Sequence, residues 1–412
     1  MARPRSFDEG DVLDRAMNVF HRHGYDGSTM AELTLAMGLT APSIYAAFGS
    51  KRGLFEAVLD RYTDSQGESF AGVLAAPTAR EVAERLLCWA TDQTRDLQRP
   101  PGYLLIQAGL AAGPESADVP VTLAERRLAN EVALRERFEQ AKVAGDLSTA
   151  ADSAALASFV TTVFYGLSVR VASGATSDEL RKVVEQAMAN WQALASEPEA
   201  NLASGPNLLD GNAPGTRGRP REFDASSALD AAMKVFWRKG YEGTSLADLT
   251  EAMGITRPSL YATFGNKESL FFKALDQYQR VNMAYGKKAL EAPTAQAFVE
   301  ELLAGAVAAQ LSDDQPRGCL SVINSMQGGD QSQVIRAEVL RRASEVHSLI
   351  VMRLTRAKTE GDLPASADPE GLTRLLASVL QSIATLGAAG ASADQLHALA
   401  NSTIAVWPHT KH

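Results

Sequence analysis

The chain has 412 residues, 45% of them hydrophobic, and a formal net charge of −9. Such length and apolar content exclude a single small domain and predict two or three domains with large cores. Two cysteines, Cys88 and Cys319, exclude a disulfide scaffold and fit a reducing cytoplasm.

Leu13, Ala16, Met17 and Phe20 recur at helical spacing and predict a first helix ending at Gly24. Thr29 followed by Glu32 is a capping box that starts a second helix, with Leu33, Ala36 and Met37 on its inner face. Gly38 ends it, because only glycine takes a left-handed backbone at little cost. Thr40 can cap a third helix, and Pro42 fits its first turn, where no intrahelical N–H partner is needed. Ile44 and Phe48 face inward there, leaving Ala41, Ser43 and Tyr45 outward. Two short helices joined by a tight glycine turn make a helix-turn-helix, whose second helix enters the DNA major groove.

Ser50 then caps a longer helix bearing Leu54, Phe55, Val58, Leu59 and Tyr62. Further helices are expected over 78–97, 103–112, 122–144, 153–172 and 178–194, with no strand alternation. The fold class is all-α. The uncharged stretches 153–169 and 375–393 invite a membrane reading, the second by its length. Both are diluted by Ser, Thr, Ala and Gly, so buried helices at a helix–helix interface are expected, with no membrane partner. The N-terminal Met-Ala-Arg-Pro-Arg run is not followed by an apolar stretch, so no signal peptide is expected.

Shifting the sequence by 216 residues lays one half on the other. Between Arg3 and Tyr62, 34 of 60 positions match their counterparts. The register then holds without a gap through Gly145-Asp146-Leu147 against Gly361-Asp362-Leu363, and Trp191 against Trp407. A period of that length is a duplicated gene, since solenoid repeats run to only about 20–50 residues. The expected layout is a helix-turn-helix domain at 1–50, a helical ligand-binding and dimerisation domain at 51–195, and a Pro/Gly-rich linker at 196–216. A second pair of domains follows at 217–266 and 267–408.

Arg3-Pro4-Arg5, Phe20, Gly24-Tyr25, Thr29, Leu33, Gly38, Ser43, Tyr45, Phe48 and Lys51 resemble the DNA-binding domain of TetR/AcrR-type regulators, as do their counterparts 216 residues on. The likeness is specific over about the first 60 residues of each half and architectural beyond. It implies a homodimer-like plan that binds a palindromic operator, usually represses, and lets go of DNA when a small molecule enters the larger domain. The departure is that two protomers are fused in one chain, an intrachain pseudo-dimer.

A fused pair is free to let its two reading heads diverge. Thr40, Pro42, Ser43 and Tyr45 agree with Thr256, Pro258, Ser259 and Tyr261, whereas Ala41 faces Arg257. Arginine at the start of a recognition helix can read guanine O6 and N7; alanine can at most touch a thymine methyl. An imperfect palindrome is therefore expected, with G favoured only under the second head. Lys51 and Lys267 are expected to hold phosphate at a helix N-terminus, and Tyr45 and Tyr261 to hydrogen-bond it. Thr29 and Ser245 would do so in competition with capping. Arg3, Arg5, Arg217, Arg219 and Arg221 precede the first helices and are expected to reach the minor groove or backbone. The heads are not strongly basic: residues 1–62 carry seven basic and eight acidic side chains, residues 217–278 nine and eight. The DNA-binding expectation thus rests on motif geometry, not bulk charge.

The last two helices of each half carry broad apolar faces, Leu156 to Leu167 and Leu180 to Leu194 in one, Leu372 to Leu386 and Leu396 to Trp407 in the other. They are expected to pack as a four-helix bundle between halves. A small apolar ligand is expected among the middle helices, with Trp89, Tyr103, Phe138 and Tyr165 lining the first pocket and Cys319, Met326, His347 and Met352 the second. The imbalance in rings predicts pockets that are not equivalent. Cys319 beside Arg317 is a candidate electrophile sensor. The six histidines show no metal-ligand spacing, and no phosphate-cradling loop or Gly-x-Ser-x-Gly elbow occurs, so neither metal, cofactor nor enzyme activity is expected. The alternatives are an architectural DNA binder without inducer and, behind it, a helical enzyme or redox sensor using Cys319.

Overall fold

A computed structural model describes residues 8–92, 100–110, 116, 118–195 (side chains of 192–194 excepted), 224–326 and 333–408. The proposed linker 196–216 and Arg3, Arg5, Arg217, Arg219 and Arg221 lie outside the described residues.

The first head comprises α1 (Glu9–Gly27), α2 (Met30–Met37) and α3 (Ala41–Phe48), followed by α4 (Lys51–Leu74). Its body adds α5 (Ala79–Asp92), α6 (Leu104–Gln107), α7 (Asp118–Val143), α8 (Ser153–Ala172) and α9 (Ser177–Ala195). The second head comprises α10 (Ala225–Lys239), α11 (Leu246–Met253) and α12 (Arg257–Phe264). Its body runs through α13 (Lys267–Val281), α14 (Ala284–Leu290), α15 (Ala295–Leu311), α16 (Leu320–Met326), α17 (Gln333–Thr359), α18 (Pro369–Ala388) and α19 (Ala393–Ala405). Among the described residues every regular element is a helix.

The first helix breaks at Gly24, as expected, with a non-helical φ of 71°, and a further short stretch carries α1 to Gly27, whereas α10 stops at Lys239 with Gly240 as its cap. One expectation changes. The helix expected over 103–112 is the single turn α6, after which the chain turns at 108–110. There Gly109 lies so close to α7 that an added Cβ would sit 2.9 Å from the Leu123 side chain. The long helix α4 is one piece, but its counterpart breaks into α13 and α14 at Asn282 and Met283.

The two halves meet along α8 and α18, with α9 against α18 and α19 against α8. Both central helices are buried over most of their length, Phe159 to Leu167 on one and Leu372 to Leu386 on the other. Their crossing is set by small residues that share the 216-residue offset. Gly166 lies against Ser378, where an added Cβ would sit 2.2 Å from the Ser378 carbonyl oxygen. Its counterpart Ser382 donates a 2.5 Å hydrogen bond to the Thr162 carbonyl. Close backbone approach here requires small side chains, the same requirement in both directions. Asn190 Nδ2 donates to the Val406 carbonyl at 3.1 Å, and the Ser173 and Ser325 hydroxyls bond at 2.8 Å. Thus α8, which is long and apolar enough to cross a membrane, is instead largely enclosed by protein.

Candidate nucleic-acid interface

Each head is built by local chemistry. Thr29 Oγ1 accepts from the Glu32 N–H at 3.1 Å, and Glu32 Oε2 accepts from the Thr29 N–H at 2.8 Å. Ser245 and Asp248 repeat this box at 3.1 and 2.8 Å. The Thr29 and Ser245 hydroxyls also donate to those same carboxylates, at 2.9 and 2.8 Å, so both are committed within the cap. Gly38 and Gly254 close α2 and α11 at φ 67° and 65°, where any side chain is strained.

The following helices α3 and α12 start from Thr40 and Thr256, each capping its Ser43 or Ser259 N–H. The two hydroxyls of each cap also bond to each other, at 2.9 Å in α3 and 3.0 Å in α12. Ile44 and Leu260 anchor α3 and α12 with no exposed surface, fixing which face is left outward. That face carries Pro42 and Tyr45, with Ala41 and Ser43 half-exposed; on α12 it carries Arg257, Pro258, Ser259 and Tyr261, all exposed. Tyr45 and Tyr261 are 46% and 49% exposed, each with its phenol outward. Arg257 makes no hydrogen bond or ion pair with the described residues.

Lys51 and Lys267 open α4 and α13 beside these faces. Each ammonium sits over a ring, Tyr25 at 4.6 Å and Tyr241 at 4.3 Å. Burial pulls both lysines below the usual lysine range, so each is a partly desolvated cation at a helix N-terminus. The arrangement of exposed hydroxyls, phenols and a cation around one short helix suits a phosphate-flanked groove.

The ring and sulfur candidates fall in different places. Tyr103, Phe164 and Tyr165 pack together, with Tyr103 5.2 Å from Phe164, and Trp89 joins at 5.7 Å. Phe138 is not with them; it is fully buried against Trp191 at 5.5 Å. Cys319 is half-buried next to the Tyr278 hydroxyl, whose pKa it helps raise behind burial. Arg317 turns from it toward the Ala391 carbonyl at 3.5 Å. Met326 is partly buried against the main core. One expectation fails: Met352 is 59% exposed on the outer face of α17. Half-buried His347 pairs with Glu370 at 2.9 Å. The long helix α17 is only partly covered, and its buried face runs through Ile350, Arg353, Leu354 and Ala357 instead. The second half does supply a ring the sequence reading missed. Tyr285, on α14, lies against Gly305, the counterpart of Trp89.

Arg127, Glu131 and Ser158 were also missed. Leu123, Arg127, Glu131, Leu134 and Phe138 lie three and four apart on α7, so the signal was a charge inside an apolar stripe.

Comparison with known proteins now places this geometry. The profile of bacterial regulatory proteins of the tetR family matches twice, at residues 12–58 and 228–274. The HTH-type transcriptional repressor ComR of Escherichia coli (strain K12) is 35% identical over 201 residues, covering 47% of this chain and 93% of ComR. The chain belongs to the TetR family. It is a DNA-binding transcriptional regulator of that family in tandem form, since each whole relative spans less than half of it. The repressor BdcR of the same organism is 29% identical over 184 residues, covering 43% of this chain and 86% of BdcR. Among solved structures, a cysteine mutant of the TetR family transcriptional regulator CifR complexed with 26-bp operator DNA is 40% identical. That match covers 46% of this chain and 100% of CifR, with a TM-score of 0.45. The two matches run from α1 into α4 and from α10 into α13.

Proposed function

We propose that this TetR-family chain represses transcription by gripping one imperfectly palindromic operator with α3 and α12 together, as an intrachain pseudo-dimer. A small molecule entering the helical bodies then releases it. The observation that carries this reading is the seam: the two halves pack through α8 and α18 as symmetry mates would, by offset-related contacts at Gly166 and Ser382. One chain then supplies what a homodimer obtains from two.

In this reading Thr40, Pro42, Ser43 and Tyr45, with Thr256, Pro258, Ser259 and Tyr261, contact base edges and phosphates. Lys51 and Lys267 hold phosphate from the N-termini of α4 and α13. Thr29 and Ser245 contribute by holding the helix-turn-helix in shape. Ala41 and Arg257 set the difference between half-sites, with Arg257 reading guanine. Selection of bound sequences from random duplexes tests this directly. The expected product is two related half-sites with an extra G under the second head. Selection of a single unpaired half-site, or of no sequence at all, would overturn it. The architectural alternative predicts the latter outcome.

A further inference from the structure

The body contains one feature that DNA binding leaves unused. A pocket of about 100 Å³ opens at the seam, between α7 and α8 of the first half and α18 and α19 of the second. Arg127 lines it and is only 4% exposed. Its guanidinium donates to two carbonyls, Leu105 at 2.5 Å on α6 and Ala389 at 3.4 Å at the end of α18. No carboxylate among the described residues lies within ion-pair reach of it. A buried cation left without a counter-charge is costly, and an anion delivered from outside would relieve that cost. Around it stand the Tyr165 and Ser158 side chains, each 5% exposed, whose hydroxyls make no hydrogen bond to the described residues. Leu386 and Leu399 supply an apolar wall. Glu131 also lines the pocket, and burial pushes its carboxyl up toward the neutral form.

The pseudo-equivalent place is built differently. The 216-residue offset puts Ala343, His347, Arg374 and Gln381 where the first half has Arg127, Glu131, Ser158 and Tyr165. The facing wall has Arg170 and Glu179 in place of Leu386 and Gln395. Here two carboxylates, Glu370 and Glu179, stand among the cations, although Arg170 Nε is buried without a hydrogen-bond partner. Glu370 pairs with Arg374 at 2.6 Å and with His347 at 2.9 Å, and Glu179 lies in the field of Arg170 and Arg374.

We propose that the chain binds one small organic anion, a carboxylate or phenolate with an apolar body, at this seam pocket and at its mate not at all. The anionic group meets Arg127, Tyr165 and Ser158; the apolar body lies on Leu386 and Leu399. This deepens the ligand-release reading above and rests on it for its regulatory meaning, though not for the binding itself.

The test is calorimetric titration of the full chain, without DNA, with benzoate, phenylacetate and cinnamate against their neutral amides. The expected result is one site per chain and at least a tenfold preference for each carboxylate that binds over its amide. Ala398→Trp, at the exposed rim of the pocket, should abolish binding without touching the core. Lys182→Trp, its counterpart at the other seam, should leave binding unchanged. Arg127→Met should erase the preference for the acid; its fold is checked by circular dichroism, and the Ala398 variant decides if it fails to fold. Two sites per chain, equal binding of acids and amides, no binding at millimolar ligand, or binding that survives Ala398→Trp would each overturn the proposal. Operator affinity measured separately stands apart from all of these, so a failure here is not a failure of the DNA-binding reading.

Discussion

The two heads share 34 of 60 positions, yet they are seated in the molecule differently. The core of the first head, Phe20, Leu33, Ile44 and Phe55, is continuous with the core of the bodies, and Tyr62 meets Tyr103 at 5.9 Å. The core of the second, Phe236, Leu249, Leu260 and Phe271, forms a separate buried cluster that takes in Leu320 and Ile323 of α16 and Ile335 and Val339 of α17, with half-buried Cys319 packed against both clusters. Their polar ties differ as well. Tyr25 donates its N–H to the Ala108 carbonyl at 3.0 Å, while Tyr241 donates to the Asn324 side chain at 2.8 Å. Arg52 reaches Asp118 and Arg126 reaches Asp60 in the first half; in the second, Arg342, the counterpart of Arg126, reaches Asp276. Duplication has thus kept the tool and changed the handle. A head with its own core can loosen without loosening the body, and one that shares the core cannot.

Truncating the matched core rings should break this contrast most visibly. Phe55→Ala and Phe271→Ala should each cost about 3–5 kcal/mol. Hydrogen exchange should show the second confined to α10–α13 and the starts of α16 and α17, and the first spreading into α5 and α8. Equal spread would remove the distinction. Next is the crossing that joins the halves. Gly166→Leu has no room and should cost about 3 kcal/mol in a denaturant melt. Ser382→Ala, which deletes the hydroxyl's bonds to the Thr162 and Ser378 carbonyls, should cost about 1 kcal/mol.

The heads also differ where they read. Arg257→Ala should cost about 1–3 kcal/mol against the preferred half-site and abolish its G preference. Ala41→Arg should create the same preference under the first head. Uniform weakening across base variants would instead make Arg257 a phosphate contact.

A smaller contrast lies in the capping boxes. Lys239, which stands where the first head has His23, pairs with Asp248 at 2.7 Å. That bond first, and the Ser245 N–H second, hold the Asp248 carboxyl down to about 2 from its ordinary 3.8. A depressed value in the fold stabilises above the unfolded value and loses that contribution as pH falls from 3.8 toward about 2. Asp248→Asn should therefore cost about 1 kcal/mol at neutral pH. Its difference from the parent chain should shrink as the pH drops below 3.8. A pH-independent difference would exclude the linkage.

What could be read without coordinates was local. Capping boxes at Thr29 and Ser245, the left-handed glycines and the inward Ile44 and Leu260 follow from a few neighbouring residues. The duplication was legible because identity at a fixed offset needs no structure. The bodies were less so. Met352 looked like a pocket residue because apolar character on α17 is spread around the helix, and only packing decides which side is covered. Tyr285 fills the space of Trp89 from another element, an exchange no one-dimensional pattern displays. Arg127 was passed over because a charge on a helix is normally taken for a solvated one.

The central claim is that one polypeptide brings both heads to one operator. Native mass spectrometry of the full chain on its selected duplex tests it most directly. One chain per duplex carrying both half-sites, reduced to weak binding when either half-site is scrambled, is the predicted result. Two chains per duplex, each using a single head and indifferent to loss of the other, would contradict it.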